Sequence, residues 1–117
     1  MSKKKTSQRI FREYVKSFKD LQSKLGLFEW EVYFDLKKLD GSYAEIDINV
    51  GGRCANAVYN SEQDKGTLER EPQISGKHEC LHLLLAKLTA LAKDRYVTVK
   101  EIDDEAESIV RILEKIL

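Results

Sequence analysis

Two consecutive stretches, FEWEVYFDL (28–36) and SYAEIDINV (42–50), alternate apolar and other residues with a period of two. Phe28, Trp30, Val32, Phe34 and Leu36 share one face of the first, and Ala44, Ile46, Ile48 and Val50 share one face of the second. Strands patterned in this way have an apolar face that another layer must cover. The cover is available upstream, where Ile10, Phe11, Tyr14, Val15, Phe18, Leu21 and Leu25 recur at helical spacing and Gly26 supplies a stop. Asp40-Gly41 and Gly51-Gly52 read as turns, the second leading into RCANAVYN (53–60), so the pattern predicts a three-stranded antiparallel meander.

After the polar connection SEQDKGTLERE, Pro72 stands where a helix can begin without missing its N–H, and the helix is expected to continue to about Ala92. Thr98 and Glu101 have the spacing of a capping box for a last helix, with Ile102, Ala106, Ile109, Val110, Leu113, Ile116 and Leu117 inward. The expected class is α+β: helix, three strands, helix, helix. A chain of 117 residues with 42% hydrophobic residues suits one domain, assigned to 9–117 behind a basic, disordered tail over 1–8.

Twenty basic side chains balance twenty acidic ones, which gives no case for a nucleic-acid or membrane partner. The charge is uneven along the chain: eight basic and two acidic residues up to Lys24, then six acidic and two basic from Glu101. With no apolar segment behind the lysine-rich start, the expected location is the cytoplasm, with Cys54 and Cys80 reduced.

The chemistry is concentrated in KHECLHLLLA (77–86), which contains both histidines of the chain. Four residues apart on a helix, His78 and His82 can point their rings at one ion. Glu79, about 100° round from His78, can reach a water held there. Two imidazoles hold zinc weakly, so a third ligand is wanted. Cys80 lies about 200° round from His78 and reads as core. The acidic last helix is the better source. Glu105 lies about 75° from its apolar stripe and Glu107 about 125°, which favours Glu105.

HECLHLLLA, followed by the glutamate-bearing DEAESIVRIL helix and preceded by three strands, resembles the small zincin-like metallopeptidases of compact gluzincin type, among them uncharacterised phage and prophage proteins. The resemblance covers roughly Phe28 to the C-terminus, and its one specific motif is His-Glu-x-x-His. It implies a zinc-dependent peptidase with His78 and His82 as ligands, Glu79 as general base, a glutamate of the last helix as third ligand, and a peptide or protein substrate. In the family-like run E-x-I-V-x-x-L that glutamate is Glu107, so Glu105 and Glu107 both stand. The strand carrying Arg53, Asn56, Tyr59 and Asn60 is the expected place for edge pairing with a peptide, and Tyr96 or Arg95 for an oxyanion donor. Against the enzyme stands a zincin fold that cleaves nothing and serves as a binding or regulatory module with structural zinc. In contrast to larger zinc proteases, the 117 residues are expected to supply no second domain to wall a cleft.

Overall fold

The structure is a computed structural model that describes residues 3–64 and 71–117. Strand β1 (Lys3–Lys5) leads into helix α1 (Gln8–Lys24), followed by β2 (Glu31–Lys37), β3 (Ala44–Asn49), β4 (Cys54–Asn60) and β5 (Glu62–Asp64). Helices α2 (Pro72–Leu84), α3 (Ala86–Lys93) and α4 (Val99–Glu114) complete the chain. The segment expected as a tail carries, from residue 3 on, a strand paired antiparallel with β5 and then the Ser7 cap of α1. Residues 1–2 and the 65–70 part of the polar connection lie outside the described residues.

Helix α1 ends as the sequence predicts. Gly26 takes φ 71°, and the N–H groups of Gly26 and Leu27 donate to the carbonyls of Ser23 and Gln22, closing the last turn. Tyr14 and Phe18 are fully buried, and both rings meet Phe34 of β2 edge to face. Helix α2 packs most closely on α1 at Gly76. A Cβ there would lie 2.6 Å from the Tyr14 carbonyl oxygen, so only glycine lets the two backbones approach this far. Beside it the Ser17 hydroxyl donates to the Gln73 carbonyl at 2.6 Å.

The expected antiparallel meander does not form. The sheet is mixed, with order β2-β4-β3: β4 runs parallel to β2 and antiparallel to β3. The sequence of β4 explains the difference, because Ala55, Ala57 and Tyr59 are buried on one face and Val58 and Asn60 on the other, the condition of a central strand. The chain between β2 and β3 must therefore step across the end of β4, and Asn60 holds it there. Its Nδ2 donates to the carbonyls of Leu39 (3.0 Å) and Ser42 (2.8 Å), while its Oδ1 accepts from the N–H of Leu39 (3.1 Å) and Glu62 (3.0 Å).

Both turns form with different details. Gly41 has φ 77° as expected, but its loop joins strands that are not neighbours. In the β3–β4 hairpin the left-handed residue is Arg53, with φ 55°, and the Asn49 side chain accepts from the Gly52 N–H. The helix predicted to about Ala92 is two segments joined at Leu85. The bonds Leu85 N–H to Leu81 carbonyl and Thr89 N–H to Leu85 carbonyl carry the helical hydrogen-bond pattern across the join. The capping box of Thr98 and Glu101 is present in full, and α4 packs against α3 with Ile109 buried. No helix among the described residues is long and apolar enough to cross a membrane.

Candidate metal centre

His78, Glu79 and His82 all lie on α2, whose opposite face, with Gly76, Cys80 and Leu83, is buried. Packing of that face on α1 and the sheet fixes the rotation of the helix. It leaves both histidines exposed while Glu79, at 6% exposure, is tucked in. The two Nε2 atoms stand 3.2 Å apart, and one ligand atom from each of the three residues lies within 4.8 Å of the others.

That separation fits one ion. Two nitrogens at about 2.05 Å from a zinc ion and 3.2 Å from each other subtend roughly 100°, close to a tetrahedral angle. Two imidazoles with an adjacent carboxylate suit zinc and other borderline metals and do not by themselves select among them. The same 3.2 Å is also a hydrogen bond when one ring carries its proton on Nε2 and the other does not.

Behind the histidines the buried carboxylate meets the aromatic core. Tyr14 of α1, whose hydroxyl lies 3.5 Å from the Val58 carbonyl, has its ionisation pushed far up, first by burial, then by the negative charges of Glu79 and Tyr59. The phenol stays neutral, and its one proton is directed to the Val58 carbonyl.

In front of the histidines opens a groove of about 650 Å³. Its floor is the α2–α3 face carrying His78, Glu79, His82, Ala86, Thr89 and Lys93, and its wall is β3 with Ala44, Ile46 and Ile48. Strand β3 pairs with β4 on one side and with no described strand on the other. The free edge beside the histidines is thus β3 and not the strand with Asn56, Tyr59 and Asn60, as the sequence reading had it. That strand is central, and both of its edges are taken.

The two glutamates named as third ligand are not brought to the group. Glu107 is exposed and pairs with Arg111 at 3.6 Å, Glu105 is half-buried on α4, and neither lines the groove. Tyr96, 83% exposed, and Arg95, stacked over its ring, also lie off the groove. Cys80 is fully buried, as expected, and burial pushes its thiol up to about 12. Glu45 and Lys93, which do line the groove, were not singled out from the sequence. The signal for Lys93 was its position eleven residues after His82, three helical turns along the same face. No family model, curated protein or solved structure matches the chain, and what the site can do is carried by its own geometry.

Proposed function

We propose that the protein is a zinc-dependent peptidase that acts on an extended peptide laid along β3. The observation that carries this reading is the pair of Nε2 atoms 3.2 Å apart beside a buried carboxylate, opening onto a groove with a free strand edge. Zinc bound there would polarise the scissile carbonyl and lower the pKa of a water beside it. His78 and His82 would hold the ion through Nε2. Glu79, flanked by the neutral Tyr14 hydroxyl, takes a proton from the attacking water and delivers it to the departing amine. The unpaired N–H and C=O groups of β3 bind the peptide main chain, and Ile46 and Ile48 receive its apolar side chains. The binding or regulatory module with structural zinc is the second reading, and Glu79 separates the two, because holding zinc for structure requires no base.

Metal content of tag-free protein tests the reading. The parent is expected to hold about one zinc per chain and a His78→Ala/His82→Ala variant none. The third ligand comes within the same measurement. With Glu107 tied to Arg111 and Glu105 off the groove, Glu105→Gln and Glu107→Gln are expected to keep their zinc. Loss in either one would identify it as the ligand and require α4 to rearrange. A zinc-loaded parent that cleaves a mixed peptide library, beside a Glu79→Gln variant that holds zinc and cleaves nothing, supports the peptidase. Equal silence from both leaves the binding module.

A further inference from the structure

The groove has a direction, and a basic side chain stands at one end of it. Tyr14 joins one end together: its carbonyl abuts Gly76, one turn before Glu79, and its hydroxyl approaches Val58, the β4 partner of Glu45. Glu29 joins the other end, pairing with Lys87 at the start of α3 (2.9 Å) and with Arg53 just past the β3 hairpin (3.4 Å). Helices α2 and α3 therefore run alongside β3 in the same direction, with Glu45 level with the histidine end and Lys93 beyond the far end of the strand. Lys93 is exposed, lines the groove and is in no ion pair among the described residues, whereas alternation along β3 turns the Glu45 side chain to the face opposite Ala44, Ile46 and Ile48.

From His82 to Lys93 is eleven residues, about 16 Å along a helical axis, the span of about five residues of extended peptide. We infer that the groove selects extended peptides with a carboxylate about five residues from the bond presented to His78 and His82, that carboxylate being held by Lys93 Nζ. This deepens the peptidase reading and rests on its peptide groove. The carboxylate has two possible sources. A C-terminal carboxylate reaches Lys93 when the peptide runs parallel to β3, and an aspartate or glutamate side chain reaches it in either direction.

Fluorescein-labelled hexapeptides of alternating alanine and leucine, ending in aspartate, asparagine or lysine and each with a free or amidated C-terminus, are titrated into the full chain at low salt. Anisotropy is read with chelator present, so that neither zinc nor cleavage enters. The amidated aspartate peptide is expected to bind about five- to tenfold more tightly than the amidated asparagine peptide. Lys93→Gln is expected to abolish that preference, and Lys93→Glu to transfer it to the amidated lysine peptide. A gain of the free asparagine peptide over its amide assigns the C-terminal carboxylate as a source, and a gain confined to the aspartate pair assigns the side chain. Equal affinity of aspartate and asparagine peptides, a preference that survives Lys93→Gln, or no binding of any peptide overturns the inference. The peptidase reading fails separately: a protein that shows the charge preference and takes up no zinc loses that reading and keeps this one.

Discussion

At the scale of single residues, the histidine pair was legible because its chemistry depends only on local geometry. A spacing of four on a helix brings two rings together wherever the helix lies, and the 3.2 Å between Nε2 atoms follows from it. The third ligand and the place of Lys93 in the groove were not legible in this way, since they depend on how separate elements meet. A helical wheel ranked Glu105 above Glu107 but could not say that α4 would pack on α3, away from the groove. Gly76 is another residue whose role appears only in the fold. In a helix interior alanine is favoured over glycine by about 1 kcal/mol, which taken alone makes Gly76→Ala stabilising. Here the added methyl meets two backbone atoms, the Tyr14 carbonyl oxygen at 2.6 Å and the Phe18 nitrogen at 3.0 Å, and backbone cannot rotate aside. Forced separation of packed elements costs about 1 to 3 kcal/mol, so the net effect is expected to be a loss of about 1 kcal/mol. A higher denaturation midpoint in Gly76→Ala would mean that α1 and α2 part at no cost.

At the scale of elements, α1, α4 and the three strands β2, β3 and β4 were readable, but the short β1 and β5, the break between α2 and α3 and the order of strands in the sheet were not. Alternation identified β2 and β3, the Pro72 start marked α2, and Thr98 with Glu101 marked the first turn of α4. Pairing was inferred from the turns, and Asp40-Gly41 reads as a hairpin turn whether or not its strands are neighbours. What decides the order is that β4 is apolar enough to be buried on both faces and that Asn60 can satisfy the loop passing over its end. From the sequence Asn60 belongs to the strand expected to pair with a peptide. In the fold its amide makes four bonds to main-chain groups at 7% exposure, so Asn60→Ala removes them all and leaves several partners in a dry site. The expected loss is about 3 kcal/mol, read as a lowered guanidinium midpoint. A variant of unchanged stability would show that the crossover holds without it.

At the scale of the whole molecule, the site and the core share one set of buried groups. The radius of gyration, 15.9 Å against about 13 Å for a compact chain of this length, reflects an elongated body of 50 × 31 × 25 Å. The densest part is the layer of α1 and α2 on the sheet, where Tyr14 and Cys80 are fully buried within the same cluster. Both are held neutral there, Cys80 by burial and Tyr14 by burial and then the charge of Glu79. Unfolded, the thiol ionises near its ordinary value of 9.0 and the phenol near 10.0, whereas in the fold both resist. Above those values the unfolded chain releases protons that the native chain retains, so raising the pH favours unfolding. Stability is therefore expected to be full below about pH 9 and to fall as the pH rises through 9 toward 12. Guanidinium midpoints at pH 7.5 and 10.5 test this, with Cys80→Ala and Tyr14→Phe each removing part of the fall whatever they cost at pH 7.5. A parent whose midpoint drops as steeply in both variants would place the alkaline loss elsewhere, in groups outside the layer that backs the histidines.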